Sequence, residues 1–204
     1  MKTLKESILS STKTGKSAFL IPKDKNELKQ MIDKEIREKG YNCDLNHIKT
    51  HKITDMSHLF ADSKFNGDIS KWDVSRVENM SYMFYKSNFT GENGDISKWD
   101  VSRVENMEYM FYVSQFNGVI SKWNVSRVKN MTKMFALSKR FNQDISKWKV
   151  QNVINMTSMF DCAEKFNQDI SNWELHPNCI TFLMFGGCKI EDIYKPFKNG
   201  ERIE

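Results

Sequence analysis

Between residues 69 and 84 the apolar positions are Ile69, Trp72, Val74, Val77, Met80, Met83 and Phe84, and polar residues fill most of the gaps. No single period describes this run. Around Arg76–Asn79 the chain alternates, which predicts a short strand with Val77 inward and Arg76 and Glu78 outward. Met80, Met83 and Phe84 share one helical face, which predicts a short helical turn over Met80–Tyr85.

The pattern then returns. The fourteen residues GDISKWDVSRVENM occupy 67–80 and again 94–107. Trp72, Trp99, Trp123, Trp148 and Trp173 follow one another at intervals of 27, 24, 25 and 25, and Ile, Val, Met and Phe keep step with them. A degenerate copy precedes these, since Met56-Ser57-His58-Leu59-Phe60 matches Met80-Ser81-Tyr82-Met83-Phe84. About six units result, the third lengthened by an insertion at Thr90–Gly94. One such unit is too small to bury its own apolar side chains, so neighbours must cover one another. The expectation is an α/β repeat: a right-handed solenoid of about six coils whose strands pair in parallel and whose Trp, Ile, Val, Met and Phe columns face inward. Asn79, Asn106, Asn130 and Asn155 recur at the bends, where they are expected to bond backbone groups left unpaired.

The two ends read differently. Asp24 stands three residues before Glu27, a box-like helix start, and Leu28, Met31, Ile32 and Ile36 fall on one face before Gly40. This predicts an N-terminal capping helix over the first coil. Gly186-Gly187 breaks the repeat, and Ile190–Phe197 is expected to close the last coil. The division that follows is a basic arm at 1–21, a capping helix within 22–43, repeats over 44–185 and a C-terminal cap at 186–204.

Charge changes the picture little. The net charge is +5, with 12 basic against 8 acidic residues in 1–60 and 19 against 18 thereafter. Nearly neutral repeats argue against a dedicated nucleic-acid binder; the alternative reading is such a binder, using the column of Lys71, Lys98, Lys122 and Lys147, the column of Arg76, Arg103 and Arg127, and the basic N-terminal arm. The sequence carries no apolar run of membrane-spanning length and no evident export signal. Cys43, Cys162, Cys179 and Cys188 lack metal-ligand spacing and read as packed thiols.

The pattern W-[DN]-V-S-x-V-x-N-M-x-x-M-F, followed by F-N-x-D-I-S, resembles the repeats of BspA-type leucine-rich-repeat surface proteins, with similar units in Mycoplasma lipoproteins and in gut-bacterial and phage proteins. The resemblance spans Asp44 to about Phe185. It implies a leucine-rich-repeat-like solenoid used for adhesion or protein binding, with no catalytic residues to carry over. The expected role is therefore a non-enzymatic interaction module whose partner is another protein, with phage origin one option and with no cofactor, metal or small-molecule substrate. It is expected to be cytoplasmic or virion-associated, and at the cell surface only if an export signal is missing from this sequence.

Other chemistry fares poorly. Ser10–Ser17 resembles a phosphate-binding loop, but Ser10 replaces its first glycine and no apolar strand precedes it. His47, His51 and His58 lack a ligand cluster. Asp68, Asp95, Asp144 and Asp169 each sit where a turn needs a cap. The residues expected to bind a partner are Arg76, Arg103 and Arg127, one column, and Tyr82 and Tyr109, joined by Tyr85 and Tyr112. Tyr and Arg are favoured at interface hot spots. The competing reading buries the tyrosines partly between turns.

Overall fold

The computed structural model describes residues 19–203. The basic arm and the phosphate-loop resemblance at Ser10–Ser17 lie outside these, apart from residues 19–21.

Helix α1, Lys25–Lys39, forms where the sequence places it. The Asp24 side chain accepts the Glu27 N–H at 2.9 Å, and the Glu27 carboxylate accepts the Lys23 N–H at 2.9 Å. Gly40 ends the helix at φ 85°, its N–H reaching the Ile36 carbonyl. Leu28 and Ile32 are fully buried, and Met31 and Ile36 pack against the same core.

Within the repeats the expected architecture does not appear. Besides α1, the described residues contain a 3-10 turn at Asp192–Tyr194 and one antiparallel pair, β1 (Phe197–Lys198) with β2 (Glu201–Arg202). No strand or helix recurs from unit to unit. The α/β right-handed, leucine-rich-repeat-like solenoid of about six coils is thereby overturned. What recurs is a single parallel bridge per unit, linking Asp55 to Asn79, then Asn106, Asn130, Asn155 and Ile180.

The physical reason lies in the direction of the peptide groups. The N–H groups of Met80, Tyr82, Phe84 and Lys86 donate to the carbonyls of Asn106, Glu108, Met110 and Tyr112 in the next unit. The carbonyls of the same four peptide groups, on Asn79, Ser81, Met83 and Tyr85, accept from Met56, His58, Phe60 and Asp62 in the unit before. The same connections join every neighbouring pair of segments among 55–62, 79–86, 106–113, 130–137, 155–162 and 180–187. The result is four columns of peptide groups, each aligned head to tail. An ordinary parallel strand presents both N–H and C=O on each edge; here one edge presents only N–H and the other only C=O. Elsewhere in the unit the direction reverses, as where the Glu105 N–H donates to the Glu78 carbonyl.

The backbone reaches this arrangement through two positive-φ residues per unit. One column is His58, Tyr82, Tyr109, Lys133, Ser158 and Leu183; the other is Asp62, Lys86, Val113, Leu137, Cys162 and Gly187, all between 50° and 64°. The intervening donors close tight turns, Met83 N–H to Met80 O and Tyr85 N–H to Tyr82 O. No donor is left for an α-helical bond, so the helical turn over Met80–Tyr85 is replaced by a ribbon of turns.

Side chains complete the row. Each Trp is buried, and the indole N–H of Trp72, Trp123, Trp148 and Trp173 donates at 3.1 Å to a carbonyl of the preceding unit. Phe60, Phe84, Phe111, Phe135, Phe160 and Phe185 stack in series at centroid spacings of 5.5–5.7 Å. The recurrent Asn residues do cap bends: the side-chain oxygens of Asn79, Asn130 and Asn155 each accept the N–H two residues on at 3.0 Å. Asp68, Asp95, Asp144 and Asp169 do the same at 2.8–3.0 Å. A second set, Asn117, Asn142 and Asn167, accepts backbone N–H groups of the next unit.

Candidate interaction surface

Position 82 and its equivalents lie at the first positive-φ site of each unit, outside the phenylalanine series. There the rings meet face to face. His58 stacks on Tyr82 at 4.6 Å with 8° between planes, and Tyr82 stacks on Tyr109 at 4.7 Å and 6°. The Lys133 ammonium continues the column, 5.7 Å from the Tyr109 centroid. Beside it, Tyr85 stacks on Tyr112 at 5.1 Å, and the two columns touch through tilted contacts at 5.3–6.3 Å. Lys86 lies 5.1 Å from the Tyr85 centroid. A plate of five rings with two ammonium groups results. All four tyrosines are half-buried, and His58 is exposed.

The plate's electrostatics follow from its crowding. Burial pushes the Tyr82 phenol above its ordinary pKa, helped by the Glu108 carboxylate and by Tyr109 and Tyr85. A hydrogen bond to Tyr85 holds Lys86 in its charged form to higher pH than usual. The Tyr82 phenol therefore stays protonated at neutral pH. Because the ring faces are occupied by one another, the plate suits edge contacts and hydrogen bonding better than stacking with a planar ligand.

Of the expected binding residues, the structure brings Tyr82 and Tyr109 together directly. Arg76, Arg103 and Arg127 are all exposed. Arg127 pairs with Glu105 at 3.0 Å, both side chains more than half exposed. Among the described residues no hydrogen bond, ion pair or cation–π contact joins these arginines to the tyrosines, whose cationic neighbours are lysines. His58 and Lys133 went unassigned to the surface from the sequence. The signal was present, because His58 aligns with Tyr82 in the degenerate first copy.

The remaining candidate residues have partners of their own. His47 binds the buried Glu35 of α1 at 3.1 Å, fastening the helix to the first unit. Burial raises the Glu35 pKa, but the Lys39 hydrogen bond and His47 outweigh it, so the carboxylate stays below its usual range. His176 accepts the Asn178 N–H through Nδ1. Burial pushes the Cys179 thiol up to about 11, which leaves it unreactive at neutral pH. All four cysteines are free thiols, and Cys188 lies 3.5 Å from the Ala163 carbonyl oxygen. Among the described residues no three His, Cys, Asp or Glu side chains gather as metal ligands, and no helix is long and apolar enough to cross a membrane.

No curated protein and no solved structure matches the chain. A family model does, twice, over residues 26–115 and 87–193, a span that runs from within α1 to just past the last repeat. The two placements overlap, as a repeating register requires. By this match the chain belongs to the family described as Mycoplasma protein of unknown function, DUF285.

Proposed function

We propose that the chain is a non-enzymatic module that binds another protein, kin to the BspA-type surface-repeat proteins, and cytoplasmic or virion-associated. The observation that carries this reading is the plate formed by His58, Tyr82, Tyr85, Tyr109 and Tyr112. Its equivalents in later units are Lys133, Ser158 and Leu183 at one column and Ala136, Asp161 and Gly186 at the other. The aromatic residues are thus concentrated in the first three units, although the fold does not require them there. Rigid half-buried tyrosines with lysines at the rim match the makeup of interface cores. Among the described residues the exposed arginines make no hydrogen bond, ion pair or cation–π contact with the plate, and Arg127 is already engaged by Glu105.

The test pans a displayed library of protein domains against the purified chain and against the double variant Tyr82→Ala with Tyr109→Ala. Clones retained by the parent and lost by the variant support the reading. Clones indifferent to the variant overturn this site. Labelled duplex DNA, titrated at low and at physiological salt, tests the competing class: binding that falls steeply with salt and depends on Lys71, Lys98 and Lys122 would make the chain a nucleic-acid binder.

A further inference from the structure

The four peptide columns must end somewhere. In the fifth unit the N–H groups of Met156, Ser158, Phe160 and Cys162 donate to the carbonyls of Ile180, Phe182, Met184 and Gly186 in the sixth. The equivalent N–H groups of the sixth are those of Thr181, Leu183, Phe185 and Gly187. Among the described residues none of these four finds an acceptor. They form a row of donors along the last edge, with no carbonyls between them facing the same way.

The side chains on that edge change character at the same point. Where the fifth unit has Asn155, Thr157 and Ser158, the sixth has Ile180, Phe182 and Leu183. These three are 53%, 68% and 53% exposed. A terminal unit serving only to close the row would be polar on its outer face. This one replaces three polar residues with apolar ones. Across a groove from Phe182 and Leu183 stands the β1–β2 hairpin, contributing Lys198, Asn199, Glu201, Arg202 and Ile203. The hairpin is set by Asn199 and Gly200, both at positive φ.

We propose that this groove binds an extended, proline-rich segment of a partner protein. The polarity of the edge selects that chemistry. An ordinary β-strand alternates N–H and C=O along its edge, so only its carbonyls could pair with the donor row, while its own N–H groups would face donors and stay unpaired. The same edge of a second copy fails for that reason. The opposite end of a second copy, where carbonyls end the columns, is covered by α1, with Leu28 and Ile32 fully buried. Proline carries a carbonyl and no N–H. A polyproline II segment therefore offers acceptors without opposing donors, already extended and with little ordering entropy left to lose. Its rings would pack on Phe182 and Leu183 while its carbonyls face the donor row. This surface is distinct from the tyrosine plate, so either can fail alone.

The test titrates a decaproline peptide into the uniformly labelled chain and follows backbone amide shifts. Saturable shifts at Thr181, Leu183, Phe185 and Gly187, with the Tyr82 and Tyr109 amides unmoved, are expected. The triple variant Ile180→Asn, Phe182→Thr, Leu183→Ser restores the residues of the fifth unit, so it should fold normally and bind at least tenfold more weakly, about 1.4 kcal/mol. A peptide of alternating valine and threonine, matched in length, should bind more weakly than decaproline. Absence of saturable shifts, shifts centred elsewhere, or stronger binding of the valine–threonine peptide overturns the proposal. Self-association that the triple variant abolishes would also overturn it, in favour of a second copy.

Discussion

The two ends of the repeat row meet the same physical problem with opposite solutions. At the first unit the columns end in the carbonyls of Asp55, Ser57, Leu59 and Ala61, and α1 lies over that unit. Lys25 reaches Asp55 at 2.8 Å and the Ser57 hydroxyl at 2.8 Å, placing an ammonium near the negative end of the aligned peptides. Leu28 and Ile32 supply the apolar cover. At the sixth unit the columns end in N–H groups, the positive end, and Ile180, Phe182 and Leu183 are exposed there, while Phe185 stays buried. One end is closed by charge and burial together. The other retains its donors and displays Phe182. The row has direction, and the chain treats that direction as two different chemistries.

The largest effect should come from uncovering the closed end. Leu28→Ala with Ile32→Ala removes both fully buried anchors of α1, at a cost of about 2–5 kcal/mol for each. A urea midpoint measured by circular dichroism checks this. A combined loss below about 1 kcal/mol would mean that the helix is an ornament and the two ends are alike. The triple variant at the open end should change the midpoint little, because its side chains are already in water.

An interior position calibrates both ends. Trp123→Ala removes a 3%-exposed indole and its 3.1 Å bond to the Ile96 carbonyl. The expected loss is about 3–5 kcal/mol in one cooperative transition. Two separate transitions would show that the units on either side of Trp123 unfold independently, which the inter-unit bonding argues against.

Side-chain register was legible in the sequence, and peptide direction was not. The intervals between Trp72 and Trp173, the inward Val77 and Met80, the capping role of Asn79 and the limits of α1 at Asp24 and Gly40 all follow from residue type and spacing. The strand at Arg76–Asn79 and the helical turn at Met80–Tyr85 were inferred from which side chains share a face. That inference does not say which partner a backbone donor chooses. Positive φ usually announces itself through glycine, yet of the six residues in the column of His58 and Tyr82 none is glycine, so nothing in their types marks the ribbon. The tyrosines of the candidate surface could be aligned by register. The separation of the arginines from them depends on backbone path, and the donor row at Thr181–Gly187 becomes visible only when the direction of the columns is known. The Asn199-Gly200 pair was a local hairpin signal that the reading of a closing segment at Ile190–Phe197 passed over.

Acidity should loosen the closed end. Burial raises the Asp55 pKa, but hydrogen bonds from Lys25 and Ser57 outweigh it, and the carboxylate lies below its usual range. A depressed carboxylate contributes stability above its unfolded pKa, near 3.9, and the contribution is lost as pH falls through the folded value. The Lys25–Asp55 pair is about one-third exposed, so solvent screening keeps it to roughly 1 kcal/mol or less. Asp55→Asn should therefore lower stability at pH 7 by that amount and match the parent near pH 2. A gap that persists undiminished at pH 2 would assign the effect to the capping bond of Asp55 with the Ser57 N–H, 2.8 Å, instead of to the ion pair.

The smallest effect separates interior from end at a single backbone position. Val113 and Gly187 are equivalent, with φ of 53° and 64°. A β-branched residue is strained there, by about 1–2 kcal/mol relative to glycine. The interior holds it in place because the Val113 N–H is bonded to the Ala136 carbonyl at 3.0 Å. At the open end no such bond constrains position 187, and a Cβ there would come within 3.0 Å of the Cys162 sulfur. Val113→Gly should thus raise stability by about 0.5–1 kcal/mol, the relief of strain exceeding the added freedom of the unfolded chain. Gly187→Val should lower it by more than that, because the added Cβ also crowds the Cys162 sulfur. Both follow from thermal melts of the single variants. Equal and opposite shifts would make the two sites interchangeable and would remove any special role for glycine at the open edge. A larger loss at Gly187 would mean that the edge depends on glycine to hold its donors outward.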